Sequence, residues 1–201
     1  MPRTLSAEQV EEFRTRLCAV AQHRFATQGR DAVSMRQLAD ALGCSPMTPY
    51  RYFRNKDEIL AAVRAAAFDR FAGALESAVA ESGQDPAAAG QAVGQAYVRF
   101  ALQDPDGYRL MFDVSQPNSD RYPELVRASG RARATMTASI GALVAAGVFH
   151  GMPELLGLAF WSAMHGLVML HLAGKLPEEL DFETIRREIM RLLVVGARTA
   201  A

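Results

Sequence analysis

The sequence predicts an all-α protein of about nine helices, and three observations carry that expectation. Helix-start signals, either Ser and Asp caps or prolines at first helical positions, recur along the 201 residues. Apolar side chains follow them at spacings of three and four, the period of one helix face. No segment shows the apolar–polar alternation of a half-buried strand. Half of the side chains are hydrophobic, enough for a sizeable core.

The elements follow in chain order. Ser6 and Gln9 form a capping box, in which a side-chain oxygen satisfies a free N–H of the first turn and the Gln reaches back. Phe13, Leu17, Val20, Ala21 and Phe25 then mark one face, and Gly29 is placed to stop the helix. Ser34 and Gln37 form a second capping box. Leu38, Ala39 and Leu42 give that short helix its apolar side, and Gly43 ends it. Asp85-Pro86, Asp104-Pro105, Tyr122-Pro123 and Met152-Pro153 each put proline where a helix loses no N–H bond. Asp181 opens the last helix, with a stripe of Phe182, Ile185, Ile189, Leu192 and Leu193. No internal repeat occurs.

Composition narrows the class only mildly. The 22 basic and 22 acidic side chains cancel. Residues 1–64 carry ten Arg/Lys against seven Asp/Glu, a small excess that does not by itself argue for nucleic acid. Cys18 and Cys44 are isolated thiols, and no signal peptide is evident, so a reduced, cytoplasmic setting is expected. No uninterrupted apolar run reaches the ~18 residues of a membrane span. The most apolar segment, Leu155 to Leu172, is broken by Ser162, His165, His171 and two glycines, and reads as a buried helix with no membrane partner. No motif calls for a metal or cofactor.

One stretch is more specific. "GCSPMTPYRYF", Gly43 to Phe53, follows a helix of about eight residues and holds two prolines three positions apart. A short helix, a turn with Gly43 and another short helix make a helix-turn-helix layout. Ser45 is the expected cap of the second helix and Pro46 its first residue. Pro49 then falls fourth, removing one hydrogen bond and disfavouring helical geometry at Thr48. Both prolines fit if this helix is very short and its leading end is the working end. DNA recognition uses such an end in the major groove. Pro46, Met47 and Thr48 would project there, where apolar groups and Thr meet thymine methyls. Tyr50, Arg51, Tyr52 and Lys56 supply hydroxyls and cations for phosphates. Phe53 is expected to turn inward onto Leu38, Leu42 and Phe25.

Across these residues, "VSMRQLADALGCSPMTPYRYFRNKDEILAAV" resembles the DNA-binding domain of the TetR family of transcriptional regulators. The shared pattern covers about residues 10–64. It departs at Pro49, where the family usually has Leu, Ile or Val, and at Tyr52, where it often has His. The resemblance implies phosphate contacts at Tyr50 and Lys56, and base or nearby backbone contacts at Arg36, Met47 and Thr48. With Ser45, Pro46, Arg51 and Tyr52 these complete the expected DNA-facing set. It also implies a helix-turn-helix domain at 1–62, a ligand-binding and dimerisation domain at 63–201, a homodimer and a double-stranded DNA operator.

In the second domain, "ALQDPDGYRLMF" and "FWSAMHGLVML" are similar to one TetR subfamily with Trp, His and Gly close together on one helix. The last two helices would form a four-helix dimer interface; Gly157, Ala159, Ala163 and Gly166 would permit close approach. The effector would be small and largely apolar. Its candidate contacts are Phe100, Tyr108, Met111, Phe112, Trp161, Met164, His165 and Val168. The same side chains serve equally as core, although Trp161 and His165 each carry a polar atom that needs a partner when buried.

Two other classes compete. An enzyme lacks support: no HExxH, no phosphate loop after a strand and no GxSxG occur. A helical protein-interaction module, with the helix-turn-helix as scaffold, has no reason to crowd Tyr50, Arg51, Tyr52, Arg54 and Lys56 around one short helix.

Overall fold

The computed structural model describes residues 6–113 and 119–199. The ends of the two expected domain ranges lie outside the described residues. Eight α-helices and two 3-10 turns make up the described fold: α1 Ala7–Gln28, α2 Met35–Ala41, α3 Lys56–Glu81, α4 Pro86–Gln103, α5 Pro105–Met111, α6 Pro123–Ala145, α7 Pro153–Leu172 and α8 Phe182–Arg198. The ninth expected helix, the second of the helix-turn-helix, is reduced to the 3-10 turn Pro49–Arg51.

The start signals act as their chemistry dictates. Ser6 Oγ accepts from the Gln9 N–H while the Ser6 N–H donates to Gln9 Oε1, and Ser34 and Gln37 repeat the exchange. α4, α5, α6 and α7 each begin at the expected proline. Asp85 and Asp181 accept first-turn N–H groups of α4 and α8.

The chain forms two compact units. The first is Met1–Phe68 with Asp106–Ser129; the second is Asp69–Pro105 with Gly130–Ala201. The segment after α4 belongs to the first unit. Leu110 shares a core there with Leu17, Phe25, Val33, Leu38, Phe53 and Ile59. Arg64 on α3 donates to the Met111 carbonyl at 3.1 Å, and Phe112 meets Phe68 edge-on at 5.7 Å. Leu110, Met111 and Phe112 are apolar in the sequence, but their spacing does not say which core they join.

In the second unit α7 packs on α4 and α8. Phe71 meets Tyr97 and Phe100 at 5.2 and 5.1 Å. Phe149 stacks on Phe160 beside Ile140, Leu143 and Ala197. α7 is long and apolar enough to cross a membrane by length and composition, yet only 22% of that stretch is buried. The expectation of a buried helix is therefore corrected for the single subunit. One face of α7 is covered and the other, with Leu155, Leu158 and Leu170, is open. Gly157 belongs to the covered face, since a Cβ there would meet Thr137 at 3.7 Å.

Candidate functional site

The helix-turn-helix is built by its caps. α2 ends in a Schellman motif: the Gly43 N–H donates to Asp40 O at 3.1 Å and the Cys44 N–H to Ala39 O at 3.0 Å. Gly43 sits at φ +66°, a conformation a Cβ disfavours. The Cys44 thiol follows suit, donating to Ala39 O at 3.5 Å. The chain is thereby turned toward the second element within three residues.

That element is shorter than the sequence suggests. Ser45 caps no helix at Pro46. Its hydroxyl meets the Met47 N–H at 3.4 Å and its carbonyl accepts from Thr48 at 2.8 Å, closing a turn. Pro49 is the first residue of the 3-10 turn, not the fourth of a helix. Thr48 takes φ −63°, ψ −47°, a helical conformation that a following proline disfavours. The constraint is met because Pro49 is buried, so packing holds it in place. The Tyr52 and Phe53 N–H groups both donate to Pro49 O at 3.0 Å.

The two prolines thus divide the work. Pro49 and Phe53, the latter 1% exposed, anchor the turn beneath. Pro46, Met47 (67% exposed), Tyr50 (49%) and Arg51 form an open outer edge, with Thr48 half-buried between them. Arg36 is exposed on α2, as is Ser45.

Tyr52 and Lys56 stand apart from that edge. The Tyr52 ring stacks on Phe13 with centroids 4.3 Å apart, so its ring packs within the unit. Lys56 Nζ donates to Arg30 O at 2.9 Å and approaches Asp31 O at 3.4 Å. Arg30 itself holds Asp57 and Asp31 at 2.6 Å. An ammonium has three donors, so Lys56 ties the α1–α2 loop to α3 and keeps one donor to spare. Asn55 Oδ1 accepts the Glu58 N–H at 3.0 Å, capping α3 at this point. Sequence reasoning missed Arg14, whose η1 nitrogen donates to Tyr52 O at 2.9 Å beneath the turn. Burial pushes the neighbouring Cys18 thiol up to about 11, so it remains protonated and unreactive.

The second unit holds an open cleft of about 500 Å³ between α4, α6, α7 and α8 and a smaller apolar cavity beside it. Of the expected effector contacts, Trp161 and Met164 line the smaller cavity. The other six line neither. Phe100 packs on Phe71. Tyr108 and Met111 are fully buried in the first unit, where Phe112 joins Tyr108 at 5.2 Å. Val168 is fully buried. His165 lies next to Trp161, rings 6.1 Å apart, and burial lowers its pKa. Among the lining residues that sequence reasoning missed are Gly90 and Gly94 on α4, Met136 and Ile140 on α6, and Met190 on α8. The signal was present in "AGQAVGQAY", two glycines one turn apart inside a helix, where each lowers stability relative to Ala.

The first unit also has an open polar crevice of about 520 Å³. It mixes Arg14, Arg54 and Arg121 with Glu58 and Glu124, and Arg54 is paired with Glu58 at 3.4 Å. Its charges largely answer one another.

Comparison with known proteins agrees with this geometry. Residues 17–63 match the family described as bacterial regulatory proteins, tetR family. Residues 90–193 match the family described as tetracyclin repressor-like, C-terminal domain. An uncharacterized HTH-type transcriptional regulator of Mycobacterium tuberculosis, Rv0681, is 25% identical over 169 residues, 84% of this chain and 74% of that one. A protein of unknown function from Rhodococcus sp. RHA1 superposes with a TM-score of 0.77 at 25% identity, covering 99% of this chain and 100% of the other. The TetR family transcriptional regulator PfmR from Thermus thermophilus gives 0.72 at 23% identity, over 90% and 97% of the two chains.

Proposed function

The chain belongs to the TetR family and is a ligand-responsive, DNA-binding transcriptional regulator, and on that premise we propose how its own residues carry out the task. Two copies form a homodimer that represses from a palindromic operator in the cytoplasm. Their outer edges enter successive major grooves ~34–36 Å apart. Pro46, Met47 and Thr48 face bases, with Arg36 and Ser45 beside them. Tyr50, Arg51 and Lys56 meet phosphates. Tyr52 contributes chiefly by holding the turn on Phe13.

The observation that carries this reading is the two-sided build of residues 46–53. Its inner side is pinned by Pro49 and Phe53, and its outer side is left exposed with hydroxyl and cationic groups. A scaffold for protein binding needs the inner side only.

The dimer is proposed to form through the open face of α7 and the adjoining face of α8, where Leu155, Leu158, Leu192 and Val195 are exposed. Ala159 and Gly166 leave that face smooth. The effector is small and largely apolar, and it occupies the cleft of the second unit. It shifts operator binding only by its differential affinity for the bound and released forms. Nothing in the proposal calls for catalysis.

Selecting duplexes from a random pool with the full chain tests the reading, followed by the salt dependence of the selected site. A palindrome whose affinity falls steeply between low and moderate salt is expected. A flat salt response, or no duplex retained, favours the protein-interaction module.

A further inference from the structure

The cleft of the second unit has a chemical bias that its size alone does not reveal. Its α4 wall is Ala87, Gly90, Gln91 and Gly94, with the two glycines one turn apart. A Cβ on Gly94 would meet no atom within 4 Å, while one on Gly90 would press on Leu143 Cδ1 at 3.1 Å. Gly94 therefore serves no packing contact, and the helix backbone itself forms the wall there. Opposite lie apolar side chains, Phe149, Phe160 and Met164 among them.

The α8 wall differs. Arg186, Arg187, Met190, Val194 and Arg198 line the cleft in that order; from Arg187 on, the spacing of three and four keeps them on one face. From Arg187 to Arg198 the helix rises about 16 Å. Cations thus stand at both ends of an apolar run, and no Asp or Glu lines the cleft. Arg186 is answered by Glu183 at 2.7 Å. Arg187 donates to the Glu183 carbonyl and approaches the Thr184 hydroxyl, each at 3.3 Å. Asp181 feels the Arg187 charge only as the least of the influences on it. Neither Arg187 nor Arg198 makes an ion pair with a carboxylate among the described residues.

We propose that this cleft binds an elongated apolar monocarboxylate, its chain laid along Met190 and Val194 and its single acid group held by the guanidinium at one end of that run, Arg187 or Arg198. An apolar body is recognised by the walls; a guanidinium not already bonded to a carboxylate recognises one with paired, charge-assisted hydrogen bonds. A cationic amphiphile fits the walls and meets the wrong charge at both ends. The inference rests on reading the second unit as the effector-binding one, and it goes further by naming the effector's class.

The test uses the full chain and three probes that share a ten-carbon body: decanoate, 1-decanol and decyltrimethylammonium. Trp161, the single tryptophan, lines the adjoining cavity and reports binding by fluorescence, with calorimetry alongside. Decanoate is expected to bind saturably, about five- to tenfold tighter than decanol for solvent-accessible arginines. The ammonium compound should be weaker than both. The Arg187→Gln/Arg198→Gln variant should bind decanoate no better than decanol while keeping the decanol affinity, which also shows that it is folded. Gly94→Leu should abolish binding of both without lowering the melting temperature. Equal affinity for acid and alcohol, preference for the cation, an undiminished ratio in the double variant, or no binding of any probe overturns the proposal. Operator affinity is followed in the same samples. Decanoate that binds with the expected selectivity but leaves operator affinity unchanged upholds the acid class and sinks the effector reading. Decanol or the ammonium compound releasing operator where decanoate does not upholds the effector reading and sinks the acid class.

Discussion

The Arg14 guanidinium carbon lies 4.2 Å from the centroid of the Phe53 ring. The same group donates to the Tyr52 carbonyl, so one α1 side chain grips the inner side of the recognition turn twice. A cation over an aromatic face and a charge-assisted bond to a carbonyl each contribute modestly when half-buried. Arg14→Ala is expected to lower stability by about 1–2 kcal/mol and to weaken operator binding. The two roles separate by salt. A positioning residue leaves the slope of affinity against salt unchanged, whereas loss of a phosphate contact reduces it. A reduced slope for Arg14→Ala would place it on the DNA.

Pro46 and Pro49 answer differently to the same substitution. Pro49 is buried, has no N–H to lose and is held in the turn by packing. Pro49→Ala removes buried surface and frees the unfolded chain, a cost of about 1–2 kcal/mol. Pro46 is exposed, and Pro46→Ala should change stability by no more than about 0.5 kcal/mol while altering which operators are bound. Thermal melts and a repeat of the duplex selection check both. Equal melting temperatures for the two variants would contradict the two-sided build.

Lys56 and Tyr50 separate what is held from what is offered. Tyr50→Phe removes one hydroxyl from an exposed ring, and operator affinity should fall with no change in melting temperature. Lys56→Met also strips the donor from Arg30 O, so about 1 kcal/mol of stability should go with it. The salt slope should drop by about one for Lys56→Met. An unchanged slope would make Lys56 a structural tie alone.

These contrasts mark what was legible in the sequence. Helix starts were, because a Ser or Asp cap and a first-turn proline act within four residues; Ser6, Ser34, Pro86, Pro105, Pro123, Pro153 and Asp181 all sit where local chemistry puts them. The inward turn of Phe53 was legible because it is the apolar ring at the close of a polar, basic stretch, with Leu38 and Phe25 available to cover it. The length of the recognition element was not. Whether Pro49 stands first or fourth depends on its burial beneath the turn, a tertiary fact. The effector contacts were the least legible. Tyr108 and Trp161 look alike in sequence, each a polar-tipped aromatic in an apolar helix. Tyr108 belongs to the first unit and is buried in its core, whereas Trp161 lines a cavity of the second, a difference set by tertiary packing.

His165 links the second unit to pH. Burial lowers its pKa below the ordinary 6.5, so the folded protein binds a proton less readily than the unfolded chain. Stability then rises with pH wherever the unfolded chain binds more protons. It is therefore complete above about 6.5 and is lost progressively as pH falls through that value toward the lower folded pKa. Melting temperatures of wild type and His165→Gln, compared from about pH 7.5 to about pH 5, should diverge, with the wild type falling more steeply. Parallel curves would mean that the ring titrates as if in water.

Leu158 and Leu192 test the proposed subunit contact. α7 and α8 pack on each other, yet Leu158 is 52% and Leu192 57% exposed. An apolar face of this breadth is stable in water only when something covers it. A second copy offers the same face with matching small residues at Ala159 and Gly166. Replacing Leu158 or Leu192 by Glu places a charge where the proposed contact excludes water, a cost of roughly 3 kcal/mol or more. That corresponds to a dimer dissociation constant raised more than about a hundredfold. Sedimentation should show dimers for wild type and monomers for either variant at micromolar concentration, with helix content unchanged. Operator affinity should fall in step, because a monomer reaches one half-site only. The melting temperature supplies an independent reading: it should rise with protein concentration for wild type, as mass action demands, and lose that dependence in the variants. Variants that remain dimeric would move the interface off this face and leave α7 to be covered by something else.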